Sequence, residues 1–137
     1  IPDLRNSLRE QVFAAVGNRG ADVIIENVGG ETFNACFRAI AWCGRLLVVG
    51  FAGGRVPEIK AGYILVKNIS VIGLQISDYP KRQPEKFGAA RRDLIDLYSA
   101  GKLRPHVMAA FPMERYKEAL ALVRERKVIG KVVMTTR

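Results

Sequence analysis

Apolar residues along the chain keep two different periods, and the period changes at punctuated points. Leu4, Leu8, Val12, Phe13 and Val16 share one helical face, with Asp3 placed to cap the helix and Gly17-Asn18 placed to end it. The run "DVIIE" (22–26) has no polar alternation, which predicts a short strand covered on both faces. Helical spacing returns over Glu31–Cys43 through Phe33, Phe37, Ile40 and Ala41, with Gly44 at the position after the last turn. "RLLVVG" (45–50) predicts a second buried strand. A looser segment with Gly53-Gly54 and Pro57 then leads through a single turn at 62–66 to a third strand, "ISVIG" (69–73).

A polar loop over Ser77–Gln83 precedes Pro84, which suits the first position of a long helix. That helix turns Phe87, Ala90, Leu94, Leu97 and Tyr98 inward and ends at Gly101. "LRPHVMAAFP" (103–112) and "GKVVMTT" (130–136) read as two further strands. Between them Met113–Arg126 reads as an amphipathic helix with Tyr116, Ala119, Leu120 and Val123 at helical spacing. Strands alternating with helices imply right-handed crossovers and a parallel sheet, hence an α/β fold. Ligands of such sheets bind at the carboxyl ends of the strands, here Asn27–Gly30, Gly50–Gly54 and Leu74–Ser77. Two of the three ends carry glycine pairs.

Composition narrows the classes. The 137 residues, 49% hydrophobic and 26% charged, suit one globular unit rather than a disordered chain. No apolar run approaches the ~20 residues of a membrane helix, and no apolar leader opens the chain. Cys36 and Cys43 fall seven apart in one helical pattern, about 10 Å along its axis and too far for a disulfide. With His106 as the single histidine, no thiolate–imidazole zinc set assembles, and reduced cysteines in a cytoplasmic protein are expected. The net charge of +9 invites a nucleic-acid reading, with clusters at Lys81–Arg92 and Arg124–Lys131. Neither cluster is interleaved with aromatics for base stacking, so a solvated basic face is expected and no nucleic-acid partner.

Each candidate residue carries a structural and a chemical reading. Gly29 and Gly30 permit a turn with positive φ, and they also let a ligand approach the backbone beside the Asn27 amide. The sequence Gly50-Phe51-Ala52-Gly53-Gly54 delivers a flat floor at a strand end. Phe51 there either packs inward or shields a ligand ring. No G-K-[ST] follows either loop, so triphosphate hydrolysis has no support. Glu26 is a catalytic base or a partly exposed structural hydrogen-bonder, the second being favoured. His106 reads as structural, Tyr98 as helix core, and Tyr79 as a candidate proton donor without partners. Lys127 and Lys131 flank the start of the last strand as solvated charges, or as basic groups able to meet a pyrophosphate. No catalytic acid/base or nucleophile set is found, so the chemistry belongs to a cofactor or to residues outside the chain. A dinucleotide fold opens with strand, G-x-G-x-x-G and helix, and these residues contain no such element.

Five ordered blocks, "GADVIIENVGG", "AIAWCGRLLVVGFAGG", "LVKNISVIGL", "LYSAGKLRPHV" and "ERKVIGKVVMT", carry a family pattern. They resemble the quinone oxidoreductase (zeta-crystallin-like) branch of the medium-chain dehydrogenases/reductases. The resemblance implies a partial doubly wound, Rossmann-type parallel sheet lacking its first strands. Residues 1–102 correspond to the second half of the dinucleotide-binding domain, and 103–137 to a strand–helix–strand return to the substrate domain. It also implies zinc-independent hydride transfer from NADPH, with NADH the alternative, to a quinone or activated alkene. The cofactor-contacting positions it implies are Asn27, Val28, Gly29, Gly30, Gly50, Phe51, Ala52, Gly53, Leu74, Gln75, Ile76 and Lys131. A homodimer paired through Asn68–Leu74 is implied as well. The phosphate turn and the N-terminal half of the substrate pocket have no counterpart here. The chain therefore reads as a C-terminal portion, inactive by itself. The alternative is a non-catalytic nucleotide-binding or interaction module.

Overall fold

Parallel strands form where the aliphatic runs lie. In the computed structural model, which describes residues 7–136, the chain divides between Arg82 and Gln83 into two units. The first contains α1 (Leu8–Val16), β1 (Ala21–Glu26), α2 (Gly30–Ala39), β2 (Ile40–Val48), α3 (Ala61–Lys67), β3 (Ser70–Gly73) and α4 (Tyr79–Arg82). Its three strands are parallel in the order β1-β2-β3, so their carboxyl ends share one edge of the unit. The expected cap Asp3 and the apolar Leu4 lie outside the described residues. At the far end of α1 the Gly17 N–H closes on the Phe13 carbonyl at 2.8 Å, as the glycine stop predicts.

The core sits on one face of this sheet. Phe33 and Phe37, one turn apart on α2, stack at 5.6 Å, and Phe37 meets the Tyr63 ring of α3 at 4.9 Å. With Ile40, Leu46 and Ile69 they form the buried cluster, flanked by Ile24, Val48, Ile64 and Val71. Each buried phenylalanine contributes on the order of 2–3 kcal/mol through area removed from water.

The opposite face departs from the sequence expectation. Period-2 alternation turns Ile25, Leu47 and Ile72, which are in register across the three strands, away from that cluster. Ile25 is 71% exposed and Ile72 43%, so the strands are covered on one face among the described residues rather than on both. The unbroken aliphatic run records a face that could be buried, and no described residue of this unit covers Ile25 or Ile72.

The second helix is also shorter than its spacing predicts. It ends at Ala39, Ile40 is already extended, and Ile40 pairs with Ala21 before the ladder resumes at Arg45 opposite Val23. Residues 41–44 are looped out between these pairs, and Cys43 takes a left-handed φ of 61°. Cys36 and Cys43 thus do not share a helix. Burial of the Ile40 and Ala41 side chains against the sheet overrides the helical period there. The polar loop expected over Ser77–Gln83 is instead largely helical, a 3₁₀ turn at Ile76–Asp78 running into α4.

The second unit holds α5 (Pro84–Ser99), β4 (Val107–Pro112), α6 (Tyr116–Arg124) and β5 (Lys131–Thr135). β4 and β5 are parallel, joined through α6 in a strand–helix–strand crossover. The second unit begins at Gln83, before α5. Pro84 does open α5, but Leu94, Leu97 and Tyr98 are exposed instead of inward, and so are Tyr116, Leu120 and Val123 of α6. Ala119 is the buried residue of α6. The apolar stripes are real, but within this unit there is too little surface to cover them.

Two measurements check this packing. Phe33→Ala empties the centre of the first unit's core and costs about 3–5 kcal/mol in urea unfolding. Desolvation, with a further contribution from the Glu26 carboxylate, pushes the Cys36 thiol up to about 11, whereas Cys43 is exposed. At pH 8 only about one Cys36 in a thousand is then thiolate. Iodoacetamide labelling followed by peptide mapping should modify Cys43 first, with Cys36 gaining reactivity as pH rises toward 11.

Candidate functional site

The two glycine-bearing loops are one structure. Beyond the last paired strand residues, the Val49 N–H donates to the Glu26 carbonyl at 2.8 Å. The Ala52 N–H donates to the Asn27 carbonyl at 2.9 Å, and the Gly53 N–H to the Val28 carbonyl at 2.7 Å. In return the Gly30 N–H donates to the Arg55 carbonyl at 3.1 Å. The β1–β2 pairing therefore continues, irregularly, through both turns and fuses them into a single wall. The Leu74 N–H donates to the Val48 carbonyl at 2.9 Å, which brings the start of the third loop to the same edge.

Glycine is required within this wall for two separate reasons. Gly29 is buried at φ 79°, and a Cβ there would collide with the Arg55 carbonyl oxygen and touch Phe51 Cδ1 at 3.4 Å. Gly50 differs: its backbone is not left-handed, and a Cβ would meet nothing nearer than the Asn27 carbonyl oxygen at 3.8 Å. Space above Gly50 is thus open. Its N–H and that of Phe51 find no backbone partner among the described residues, which leaves two adjacent donors at the carboxyl end of β2. Phe51 is 41% exposed, resting against Gly29 with the rest of its ring in the open, so it is neither core nor fully free.

Other predicted positions fall into three groups. Asn27, Ala52 and Gly53 are exposed on the wall, and Val28 and Gly30 are half-buried within it. Leu74 is half-buried, while Gln75 and Ile76 are exposed beyond β3. Lys131 lies in the second unit as the first residue of β5, exposed, with its N–H on the His106 carbonyl at 2.9 Å. His106 itself is exposed and holds that turn through its main chain. Lys127 is paired with Glu125 at 2.6 Å, a hydrogen bond that pushes its ammonium pKa up.

Glu26 corrects the sequence reading. It is not partly exposed but 2% exposed, and its carboxylate faces its own turn. Oε1 accepts the Val28 N–H at 2.8 Å and the Gly29 N–H at 3.0 Å, with Oε2 3.1 Å from the Gly29 nitrogen. A base so occupied by two main-chain donors is not aimed at a substrate. The sequence carries little signal for this, because accepting a main-chain N–H two residues onward is the habit of aspartate and asparagine, and glutamate is one methylene longer. Arg55 was missed altogether, because a carbonyl's role leaves no trace in residue type.

Among the described residues no three His, Cys, Asp or Glu side chains gather to hold a metal, and no helix is long and apolar enough to cross a membrane. The wall instead offers what a flat polar ring needs: open glycine backbone, unpaired N–H donors, an exposed amide and an aromatic edge.

Comparison with known proteins places the chain in a family. A family model described as zinc-binding dehydrogenase matches residues 4–134. The chain is 36% identical over 134 residues to a quinone oxidoreductase-like protein 2 homolog of Nematostella vectensis, covering 97% of this chain and 37% of that protein. The native structure of a mycobacterial protein complexed with NADPH superposes with a TM-score of 0.77 at 22% identity, over 99% of this chain and 42% of that one. A quinone oxidoreductase of Pseudomonas syringae pv. Tomato superposes at 0.76 and 17% identity, over 96% and 40%. The chain spans less than two-fifths of the curated relative's length. Despite the family's name, no set of zinc donors gathers among the described residues. With an α/β parallel architecture and a family match over nearly its full length, the chain belongs to the zinc-binding dehydrogenases of the medium-chain dehydrogenase/reductase superfamily, and is similar to their quinone oxidoreductase-like members.

Proposed function

We propose that the fused glycine wall holds the nicotinamide end of NADPH, with NADH the alternative, in an oxidoreductase that reduces a quinone or an activated alkene. The observation that carries this reading is the open space above Gly50 beside the unpaired N–H groups of Gly50 and Phe51. A dinucleotide bound there supplies the hydride. The chain's own residues bind and orient. The Gly50 and Phe51 N–H groups donate to the ring's amide, Asn27 offers a donor and an acceptor to the adjoining ribose, and the Phe51 edge keeps water from one side. Leu74, Gln75 and Ile76 border the same edge of the sheet. No side chain of the wall is assigned a proton-transfer step, so the contribution to rate is positioning.

The same reading extends to assembly. β3 pairs with β2 on one side only among the described residues, leaving its outer edge, within the stretch over 68–74, to pair antiparallel with a second copy in a homodimer. In this proposal residues 1–102 are the second half of the cofactor domain, and 103–137 return to the substrate side.

Gly50→Val tests the reading without threatening the fold, because the Cβ position is open and the backbone unstrained. In the intact protein its thermal unfolding should stay within about 2 °C of wild type, since surface changes of this kind are nearly neutral. NADPH affinity in titration calorimetry should fall at least about tenfold, a loss of about 1.4 kcal/mol. Unchanged affinity contradicts the proposal. Gly29→Ala is the contrasting case: it should unfold early whether or not a cofactor is present, because it collides with the Arg55 carbonyl and adopts a left-handed φ.

A further inference from the structure

We propose that Glu26 is the positioning residue of this wall: its buried carboxylate, by binding the Val28 and Gly29 N–H groups, sets where Asn27 and Gly50 stand toward the cofactor. The inference rests on the cofactor reading given above and assigns to that site a residue that touches no ligand.

Three observations converge on it. First, Glu26 is 2% exposed, and a carboxylate buried that deeply is tolerated only when its oxygens are satisfied. Its satisfaction comes from the two consecutive N–H groups at 2.8 and 3.0 Å. Charge-assisted bonds of this type are shorter and stronger than bonds between neutral groups. Second, those two N–H groups belong to the residues immediately after Asn27. Asn27 is held from the other side by the Ala52 N–H on its carbonyl, and Glu26 by the Val49 N–H on its own. One residue therefore anchors β1 to β2 by its main chain and folds the following turn back by its side chain. Third, the turn so held contains Gly29, whose left-handed φ of 79° places it under the Arg55 carbonyl and against Phe51. Loosening the carboxylate frees the turn that supports Phe51, and with it the edge beside the Gly50 donors.

The chemistry of the anchor separates its requirements. An aspartate is shorter but keeps two acceptor oxygens, and aspartates commonly accept N–H groups two and three residues onward. Glutamine keeps one acceptor oxygen, and it turns an NH₂ toward the Gly29 N–H, opposing donor to donor. Alanine leaves both N–H groups without a partner in a buried place.

The test titrates NADPH into the intact protein and its Glu26→Asp, Glu26→Gln, Glu26→Ala and Gly50→Val variants, and follows amide hydrogen exchange of Val28 and Gly29 by NMR. The proposal expects Glu26→Asp to keep NADPH affinity within about threefold of wild type. It expects Glu26→Gln to weaken binding about tenfold, and Glu26→Ala more, each with faster exchange at Val28 and Gly29. If Glu26→Ala does not fold, Glu26→Gln decides. Wild-type affinity in Glu26→Gln overturns the inference whether or not its exchange has quickened, since the anchor is then structural alone. Loss in Glu26→Asp equal to that in Glu26→Gln overturns it too, because two carboxylate oxygens would then confer nothing. Normal NADPH binding by Gly50→Val instead overturns the cofactor reading, and the two failures are told apart by which variant still binds.

Discussion

Everything at the candidate site depends on the backbone lacing that carries β1–β2 pairing past the ends of the strands. Four N–H···O=C bonds between residues 26–30 and 49–55 turn two flexible-looking glycine loops into one rigid surface. Such bonds are individually modest in net terms, about 1 kcal/mol each, but they close consecutive turns, and each fixes the geometry of the next. The lacing also decides which main-chain groups remain available. Ala52, Gly53 and Gly30 spend their N–H groups inside the wall, whereas those of Gly50 and Phe51 meet no backbone acceptor among the described residues. Backbone that is both held and unpaired is what a bound polar ring can use.

The rest of the first unit serves to hold that edge still. Phe33 and Phe37 pack α2 onto the sheet, and the Phe33 N–H donates to the Gly29 carbonyl at 3.3 Å, so the helix begins directly from the turn. Core packing, turn and wall are consecutive in the chain and share atoms. The opposite face of the sheet, with Ile25, Leu47 and Ile72 in one row, takes no part in this, and among the described residues Ile25 and Ile72 stand exposed on it.

The legible and illegible parts of the molecule divide along a physical line. Strand runs, the Pro84 helix start, the glycine stops at Gly17 and Gly101 and the first two carboxyl-end loops follow from local preference and stand close to where the sequence puts them, whereas Gly44, expected to end a helix, lies within β2. The end of α2 does not, because burial of Ile40 and Ala41, a tertiary effect, wins over the helical period. Nor do the inward faces of α5 and α6: periodicity reports that a stripe is apolar, never that something covers it. At the site, the glycines and Asn27 announce themselves by residue type. Glu26 shows itself only as one of several carboxylates, and Arg55 contributes a carbonyl that any residue possesses. Contacts made by main chain are invisible in composition, and this wall is made mostly of main chain.

Hydrogen exchange of the intact protein, read by mass spectrometry with and without saturating NADPH, tests the central claim most directly. Peptides covering residues 26–30 and 49–55 should gain protection together, as one surface, while α5 and α6 exchange unchanged. Protection confined to one of the two loops, or absent from both while NADPH is bound, contradicts the account.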